Sequence, residues 1–477
     1  MHSTPESPEL EEERWLICPV CKQPNPVGTL HCQECWGASL YAVAPVTAEE
    51  LGRIMVQNQA RAQRRKTLKI VSVSVLAPLM LSAAVFLSIY SFTDVILAPS
   101  PTLNSDSPPG QWTMFRHDLS RSGSINPTSP APKGTLKWSF PTDAPVHSSP
   151  TVVDGTVYFG SQDFHLYALD AETGVQRWAY KAETWIRSSP AVVDGVVYFG
   201  SNDGNLYALD ADTGEELWRF HTPYPVKSSP AVADGMVFFG SDDYSIYALD
   251  AKTGKKLWSY KTGSFVLSSP AVANGIVYVG SMDNFFYAVQ ATNGRFRLRV
   301  RVHEVPSSPA VKDGIVYFNS RGSLWAVDGK ARNWPREHDL RGWWIQFYAF
   351  GLAPKPPAES GKLWALRLGR SSYASPIVTD DTIYTAFDNR LYSIDRETRE
   401  MRWWPPFVAG GNLRSSPALG DGVLYIGSEN SLLYAVDATN GQKLWEFPTG
   451  GKVTSSPTLV DGVIYVGSHD GKLYAIE

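Results

Sequence analysis

Cysteine is almost absent from this chain of 477 residues, which contains only four, all of them before residue 36. The roughly 440 residues that follow can use neither disulfides nor thiol chemistry. The HExxH, GxSxG and phosphate-loop patterns are also missing, so the enzyme classes that depend on them are not indicated. With 43 basic and 47 acidic residues the net charge is only −4, so the overall balance indicates neither a nucleic-acid partner nor an acidic one. No small-molecule substrate is identified.

Aromatic residues, glycine and proline are by contrast abundant. Aromatics make up 12% of the chain, which has 16 Trp, 38 Gly and 34 Pro. This composition is typical of many short strands joined by turns and predicts an all-β fold.

The four cysteines form two Cys-x2-Cys pairs that can direct four sulfurs at one metal ion, namely Cys18, Cys21, Cys32 and Cys35. The segment resembles the small zinc ribbons and the Ran-binding-protein type of zinc finger. That type of finger also has a Trp shortly before its first Cys and an Asn four positions after its second Cys, and the corresponding residues here are Trp15 and Asn25. We predict a structural zinc site in a ribbon over residues 15–42, after a disordered N-terminus at 1–14. The alternatives are iron in a rubredoxin-like site, two disulfides, and cysteines that are simply buried. Because so short a segment buries little apolar surface, metal binding and folding should be one event.

An apolar run with one charge at its edge occupies residues 68–92 and is long enough to cross a bilayer. Basic residues crowd its N-terminal side in a helix predicted at 47–67, which Thr47 and Glu50 would open as a capping box. The positive-inside rule places the N-terminus in the cytoplasm and everything after a Pro/Ser-rich linker at 93–111 outside it. The sequence therefore predicts a single-pass protein of the cell membrane.

From about residue 135 the sequence repeats with a period near 40, which is typical of propeller blades of four short strands. Each repeat begins with Ser-Ser-Pro and continues with β-rich runs, the first two of which are joined by an Asp-Gly or Asn-Gly turn. A second turn leads to the third strand, and a run that contains tryptophan forms the outer strand. Eight repeats are present when the variant Ala374-Ser375-Pro376 is counted. Their prolines are Pro150, Pro190, Pro230, Pro270, Pro309, Pro376, Pro417 and Pro457.

A tryptophan stands ten residues before the next Ser-Ser-Pro in six of the eight repeats. This fixed place in the outer strand predicts packing between blades, where an indole buries roughly 150–250 Å² and its N–H can find a carbonyl. The contact should be weaker after Pro270, where the run degrades to 294–298, and after Pro376 the position drifts to Trp403 and Trp404. The six predicted blade-docking residues are Trp138, Trp178, Trp218, Trp258, Trp364 and Trp445.

The chain ends just after a third strand, while an unmatched tryptophan run around Trp138 precedes the first complete repeat. We predict that this N-terminal strand completes the last blade and closes the ring, which leaves no open sheet edge. The predicted fold is an all-β, eight-bladed β-propeller over residues 112–477, with a small zinc ribbon and a single transmembrane α-helix.

The repeat GSxDGxLYALDAxTGxxLW resembles the PQQ-type propeller repeat of quinoprotein dehydrogenases and BamB-like outer-membrane assembly proteins, over about 340 residues. The lead-in from Trp112 to Gly123, with Arg116 and Arg121, is similar to the segment that often precedes such propellers. For the dehydrogenases, the resemblance implies a quinone cofactor beneath a disulfide between adjacent cysteines, and a calcium held by acidic and amide side chains. Because this propeller has no cysteine, we do not expect PQQ. We predict a scaffold or sensor that binds a protein, peptide or envelope polymer; a quinone-dependent or other redox enzyme is the alternative.

Candidate binding residues lie just before Ser-Ser-Pro, where strand alternation puts the residues one and three positions before it on one face. If the first strand of each blade is innermost, these residues surround the mouth of the central funnel. A cationic, aromatic mouth could hold an anionic or peptide ligand, and solvated charge on a loop face is the alternative. The candidates are His147, Trp185, Arg187, Lys227, Phe265 and Arg414.

Residues 329–360 break the repeat between the third and fourth strands of the fifth blade. This insertion is longer than a loop needs and unusually aromatic, with Trp343 and Trp344 as binding candidates. A docking element for a partner, a membrane-skimming loop and a flap packed on the propeller are the three interpretations.

Overall fold

The computed structural model describes residues 13–35, 39–67, 82, 111–125, 130–334 and 336–477. The chain divides into two compact units, Met1–Ser88 and Ile89–Glu477.

The first unit contains a small antiparallel sheet and a helix. The strands are β1 (Arg14–Ile17), β2 (Pro24–Pro26) and β3 (Pro45–Thr47), in the order β2-β1-β3. Residues 48–67 are helical and are called α1. The predicted capping box opens it, because the Thr47 N–H donates to Glu50 Oε2 at 3.2 Å and the Glu50 N–H donates to Thr47 Oγ1 at 3.4 Å.

The prediction of a single-pass membrane protein, with its N-terminus in the cytoplasm and its propeller outside, is wrong. In the described parts of the chain no helix is both long enough and apolar enough to span a bilayer. The long helix α1 carries five basic residues, which are costly in a hydrocarbon core. The predicted span at 68–92 lies outside the described residues except for Ser82.

The described residues of the second unit form eight four-stranded antiparallel sheets. Each sheet contains one sequence repeat, and its strands are called A to D. Sheet 1 contains Thr151–Val153 (β5), Thr156–Gly160 (β6), His165–Asp170 (β7) and Gln176–Lys181 (β8). Sheet 2 contains Ala191–Val193 (β9), Val196–Gly200 (β10), Asn205–Asp210 (β11) and Glu216–His221 (β12). Sheet 3 contains Ala231–Ala233 (β13), Met236–Gly240 (β14), Ser245–Asp250 (β15) and Lys256–Lys261 (β16). Sheet 4 contains Ala271–Ala273 (β17), Ile276–Gly280 (β18), Phe285–Gln290 (β19) and Phe296–Arg301 (β20).

Sheet 5 contains Ala310–Lys312 (β21), Ile315–Ser320 (β22), Ser323–Asp328 (β23) and Lys362–Arg367 (β24), and the insertion with helix α2 (Glu337–Ala349) lies between its strands C and D. Sheet 6 contains Ile377–Val378 (β25), Thr382–Phe387 (β26), Arg390–Asp395 (β27) and Phe407–Val408 (β28). Sheet 7 contains Ala418–Gly420 (β29), Val423–Gly427 (β30), Leu432–Asp437 (β31) and Lys443–Pro448 (β32). Sheet 8 contains Thr458–Val460 (β33), Val463–Ser468 (β34), Lys472–Ile476 (β35) and, as strand D, the N-terminal Leu136–Pro141 (β4).

The Asp-Gly turns join strands A and B as predicted. In sheet 2 the turn residues Asp194 and Gly195 have φ of 51° and 74°, and they connect the paired residues Val193 and Val196. Two consecutive positive φ angles define the type I′ hairpin turn, which explains why Asp or Asn followed by Gly recurs at this place.

Neighbouring sheets are joined by the tryptophans of strand D. The Trp178 Nε1–H donates to the Ala211 carbonyl of the next sheet at 2.9 Å, and the Tyr158 hydroxyl donates to the same carbonyl at 3.2 Å. The indole lies so close to Gly214 that a Cβ there would be 2.7 Å from a Trp178 ring carbon. The corresponding indoles donate from Trp138 to Ala171, from Trp218 to Ala251, from Trp258 to Ala291, from Trp403 to Ala438 and from Trp445 to Pro132.

Three positions differ from this pattern. Trp364, which was predicted to dock, packs on Tyr317 of its own sheet with the ring centroids 6.0 Å apart, as most of the other tryptophans pack on tyrosines of their own sheets, but it is not among the indoles that donate to the next sheet. After Pro376 the docking residue is Trp403, and Trp404 is 74% exposed. In sheet 4 the tryptophan is replaced by Leu298, and Arg297 Nη2 donates instead to the Lys330 carbonyl at 2.7 Å.

The second serine of each Ser-Ser-Pro links all eight sheets in a circle. Its backbone N–H donates to the Oγ of the corresponding serine in the next sheet, with N to Oγ distances of 2.8 to 3.0 Å. In order, the eight serines are Ser149, Ser189, Ser229, Ser269, Ser308, Ser375, Ser416 and Ser456. The eighth bond returns from the Ser456 N–H to Ser149 Oγ. The variant Ala374-Ser375-Pro376 keeps the one serine that this circle uses.

Residues 111–125, called the crossing segment, run across the inner strands. Its backbone forms hydrogen bonds with the backbone of strand A in five sheets. The strand A residues are Val152, Val192, Val272, Val311 and Leu419. Two buried arginines reach two more sheets, because Arg121 donates to the Pro230 carbonyl at 3.1 Å and Arg116 donates to the Ser375 carbonyl at 2.7 Å. Strand A is therefore the innermost strand.

Candidate functional site

A cavity of about 590 Å³ opens where the loops between strands D and A converge. Its walls contain three of the predicted mouth residues, His147, Arg187 and Arg414, and the cavity is called the mouth. The alternation inferred from the sequence explains their direction, because the preceding apolar residues Val146 and Ile186 are fully buried. The other lining residues are Tyr373, Glu429, Lys452, Thr454 and His469.

The mouth carries more positive than negative charge. Arg187, Arg414 and Lys452 face a single carboxylate, Glu429. That carboxylate lies 3.1 Å from Arg414 Nε and 4.0 Å from Lys452 Nζ. Arg187 is stacked on Trp185, 5.1 Å from the ring centroid, which leaves its charge without a carboxylate partner among the described residues.

Two histidines extend this arrangement by a hydrogen-bonded chain. The Thr454 hydroxyl lies 3.1 Å from His147 Nδ1 and 2.8 Å from His469 Nε2, and the two imidazole centroids are 4.1 Å apart. Burial, helped by His469 and Arg187, lowers the pKa of His147 to about 4, and burial also lowers the pKa of His469. Both imidazoles are neutral at pH 7, so the positive charge of the mouth comes from its arginines and lysine.

Sequence reasoning missed five of the eight residues that line the mouth, namely Tyr373, Glu429, Lys452, Thr454 and His469. Glu429 and His469 belong to the turns between strands B and C and directly follow the serine at the end of Gly-Ser. Gln162 holds the same place in sheet 1, where its amide oxygen can accept hydrogen bonds from both Arg187 and His147 at 3.1 Å. The sequence signal for Glu429 and His469 was therefore their position directly after Gly-Ser. The residue at this position varies from repeat to repeat, whereas the residues on either side of it vary little.

The other predicted residues lie outside the mouth cavity. Lys227 forms an ion pair with Asp242 at 2.5 Å, and Phe265 packs edge-on against Tyr244 with centroids 5.3 Å apart. In the insertion, Trp343 is 64% exposed, whereas the Trp344 indole donates to the Pro354 carbonyl at 2.9 Å. None of these residues lines the cavity in the described part of the chain.

The four cysteines are brought together as a candidate metal site, with their Sγ atoms all within 4.8 Å of one another. The closest pairs are Cys18 with Cys35 at 3.7 Å and Cys21 with Cys32 at 3.4 Å. These distances are too long for disulfides and close to the separation of about 3.8 Å between sulfurs placed tetrahedrally around an ion at 2.3 Å. The Cys35 backbone N–H lowers the pKa of the Cys32 thiol to about 6, which favours the thiolate that a metal requires.

A protein-family profile described as outer membrane protein assembly factor BamB matches residues 129–185, 181–270, 265–335 and 404–477, which is more than half of the chain. The chain therefore belongs to the BamB family. No curated protein matches its sequence. The BamB profile stops before helix α2 and resumes at residue 404, so the insertion and most of sheet 6 are where this BamB-family member departs from the pattern.

Solved structures share the fold. BamB from Moraxella catarrhalis is 18% identical with a TM-score of 0.58, and the match covers 72% of this chain and 98% of that one. The quinohemoprotein alcohol dehydrogenase from Comamonas testosteroni is 16% identical with a TM-score of 0.61, over 78% and 81% of the two chains. A europium-containing methanol dehydrogenase is 14% identical with a TM-score of 0.60, over 76% and 91%. The fold is thus a β-propeller of a type found both in BamB and in redox enzymes.

The mouth of this BamB-family protein does not fit the calcium-bound quinone site that the resemblance to dehydrogenases implies. Its lining offers one carboxylate, Glu429, which is already paired with Arg414, whereas calcium takes about six to eight oxygen ligands. The adjacent cysteines are also missing, because no cysteine follows Cys35.

Proposed function

We propose that this protein is an eight-bladed, closed propeller that acts as a binding scaffold, and that its mouth receives an acidic segment of a partner protein. The observation that carries the proposal is the excess of arginine and lysine over carboxylate in the mouth. Guanidinium groups form bidentate pairs with carboxylates, and Tyr373, against which Arg414 stacks at 4.7 Å, adds an apolar surface for the partner's chain. The crossing segment occupies the inner strands, so a ligand would enter through the mouth.

The family supports a protein partner rather than a small substrate. BamB is described as an outer-membrane protein assembly factor, so proteins undergoing such assembly are the first partners to test. We propose the exposed Trp343 of helix α2 as a second contact with the same partner. Together with Leu340 and Phe347 it forms an exposed apolar row at i, i+3 and i+7, the spacing with which a helix anchors in a groove.

Replacing the mouth cations is expected to abolish capture of acidic peptides. The Arg187→Gln, Arg414→Gln, Lys452→Gln triple variant should bind a fluorescein-labelled peptide of alternating Glu and Phe at least tenfold more weakly, which corresponds to about 1.4 kcal/mol. Fluorescence anisotropy measures the dissociation constant, which should also rise with salt because the attraction is electrostatic.

Lys227→Gln is the matched control, because Lys227 is paired with Asp242 outside the cavity and should leave peptide binding unchanged. The proposal is wrong if the unmodified protein does not bind the peptide, or if the triple variant binds it equally well. Trp343→Ala should not affect the peptide but should weaken binding of an intact partner.

We also propose that the ion held by the cysteines is zinc and that it is structural. The buried apolar core of the ribbon consists of Leu16, Cys18, Cys32 and Leu40, and half of these residues are metal ligands. Asn25 stabilises the ligand loop by accepting the Gln33 N–H at 2.9 Å. Such a core cannot offset the conformational entropy of folding without a metal.

Removing the metal is expected to unfold the ribbon and leave the propeller intact. Mass spectrometry should find one zinc per chain, and a strong chelator or Cys32→Ser should make residues 13–47 sensitive to protease while the propeller stays resistant. Stoichiometric iron, or a ribbon that stays folded in chelator, would contradict the zinc assignment.

A further inference from the structure

Three large aromatic side chains are exposed together on the side of sheets 3 and 4 that carries the turns between strands B and C. They are Tyr224, Tyr244 and Phe265, which are 58%, 39% and 42% exposed and are called the aromatic patch. Phe265 packs edge-on against Tyr244 with the ring centroids 5.3 Å apart. Ser241 joins the two tyrosines, because its hydroxyl donates to the Tyr224 carbonyl at 3.4 Å and its carbonyl accepts the Tyr244 N–H at 3.2 Å. Exposed apolar groups that lie together mark interaction surfaces more often than single ones do.

The aromatic patch and the mouth are built from the same kinds of loop. Tyr224 and Phe265 lie in loops between strands D and A, and Tyr244 lies in a turn between strands B and C. In the mouth, Arg187 belongs to the loop that leads into sheet 2, and Glu429 belongs to a turn between strands B and C. Sheet 3 follows sheet 2 in the circle of serines. The patch therefore lies on the same face as the mouth, and one segment of a partner can contact both.

The fold does not require aromatic residues at these places. Several other repeats carry small or polar residues there, such as Ala144 in place of Tyr224 and Ser371 in place of Phe265. Both replacements leave the four strands of their own sheets in place. The aromatic side chains are therefore not needed for folding of the repeat, and their exposure leaves them available for contact with another molecule.

The backbone at Tyr244 is the strongest sign of a role beyond folding. Its φ is 75°, a left-handed conformation that is unfavourable for a bulky side chain. Glycine holds the same place in sheets 2 and 8, as Gly204 and Gly471, and the residues in sheets 1, 4 and 7 are Phe164, Asn284 and Ser431. A tyrosine that is largely exposed gains little from burial to offset this strain, so we take the exposed ring itself as the useful feature.

The charges around the patch favour acidic rather than basic neighbours. The Lys261 ammonium lies 5.4 Å from the centroid of the Tyr244 ring and also donates to the Asp243 carbonyl. The nearby carboxylates of Asp242 and Asp243 belong to residues that are buried, and Asp242 is paired with Lys227 at 2.5 Å. The surface thus presents aromatic rings and a cation, which suits an apolar side chain that has acidic residues close to it in the chain.

We propose that the aromatic patch binds an aromatic side chain of the same partner segment whose acidic residues occupy the mouth. This inference rests on the proposed function of the mouth and adds the kind of sequence that is recognised, namely acidic residues and an aromatic residue in one segment. An aromatic ring fits because the edge-on pair of Phe265 and Tyr244 offers it both a ring face and a ring edge, the contacts that aromatic groups prefer.

Two fluorescein-labelled peptides test the inference with the full-length chain. Each contains a run of Glu, a flexible Gly-Ser spacer and two final residues, which are Phe in one peptide and Ser in the other. Fluorescence anisotropy should show that the Phe peptide binds at least tenfold more tightly. In the Tyr224→Ala, Phe265→Ser variant this preference should disappear, while the Ser peptide should bind as it does to the unmodified protein. Urea unfolding checks that the variant is folded, as expected because both replacement residues occur at these places in other repeats.

Phe296→Ala is the matched control. Phe296 is 45% exposed, but it begins strand D of sheet 4 and so lies next to the turn between strands C and D, at the other end of the strands. This variant should keep the full preference for the Phe peptide. The mouth triple variant should bind both peptides more weakly and still prefer Phe, which separates the two subsites.

The inference is overturned if the unmodified protein binds the two peptides equally well, a result that would leave the proposal for the mouth standing. It is also overturned if the preference survives in the patch variant, or if the neutral sugar chain cellohexaose displaces the Phe peptide, which would make the patch a polysaccharide site. If neither peptide binds, the proposal for the mouth fails and the inference fails with it.

Discussion

Deletion of residues 135–141 is expected to destabilise the propeller by at least about 5 kcal/mol, since this segment supplies the outer strand of sheet 8. Loss of the Trp138 side chain alone should cost about 3–5 kcal/mol, and its hydrogen bond to Ala171 and the ladder with β35 are lost as well. The deletion also exposes the edge of Lys472–Ile476, whose last residue is fully buried in the intact protein. Urea unfolding followed by tryptophan fluorescence measures the change.

Deletion of residues 98–104 is the matched control, because it removes the same number of residues from the predicted linker. Its effect on the free energy of unfolding should be within about 0.5 kcal/mol, as for changes away from packed features. Equal effects of the two deletions would mean that the N-terminal strand does not complete the ring.

Arg121→Met is expected to cost about 3–5 kcal/mol, although it changes a single residue in a segment without regular secondary structure. Arg121 is fully buried and donates to the Phe115 carbonyl, to Pro230 at 3.1 Å and to Pro270 at 2.9 Å, which joins sheets 3 and 4 through the crossing segment. Burial lowers its pKa to about 9, so the side chain is still charged at pH 7 and able to donate to all three carbonyls. Methionine fills the space but leaves those carbonyls without a donor.

Arg402→Met is the control for Arg121→Met. Arg402 forms its ion pairs with Asp381 and Asp395 at the surface, where such pairs contribute about 0–1 kcal/mol. Arg121→Lys should not restore stability, because one ammonium group cannot reach three carbonyls spread around a planar fork. If Arg121→Met and Arg402→Met unfold at the same urea concentration, the crossing segment does not hold the ring together.

Much of the fold could be predicted because its signals are local and repeated. The Asp194-Gly195 turn, the tryptophan position and the place of the insertion all follow from spacing within one repeat. The Trp138 strand was predicted from a count of strands at the two chain ends, and its pairing with β35 is observed.

The circle of serines could not be predicted in the same way. Six of the eight bonds join residues about 40 positions apart, as from Ser149 to Ser189, and the closing bond joins Ser456 to Ser149 across 307 positions. The repeated Ser-Ser-Pro by itself indicates only the period of the repeat. The mouth could be predicted only in part, because it too is assembled from residues of different repeats. Alternation along the chain predicted the direction of Arg187, but the turns that bring Glu429 and His469 to the same cavity come from different repeats.

The prediction of a membrane span rested on the apolar composition of 68–92 alone. Those residues lie outside the described part of the chain except for Ser82. No described helix is long and apolar enough to span a bilayer, so the predicted localisation is not retained.

Closure of the ring by pairing of strand β4 with the C-terminal strand β35 is tested most directly by a disulfide between the residues next to these two strands. Thr135 and Glu477 exchange both backbone hydrogen bonds at 2.8 Å, and the Cα atoms of such a pair lie about 5.5 Å apart, which suits a disulfide. With the ribbon cysteines protected by zinc, the Thr135→Cys, Glu477→Cys variant should form an intramolecular disulfide in nearly every chain under mild oxidation, identified by peptide mass spectrometry. A variant that stays reduced, or cross-links only between chains, would contradict the closed ring.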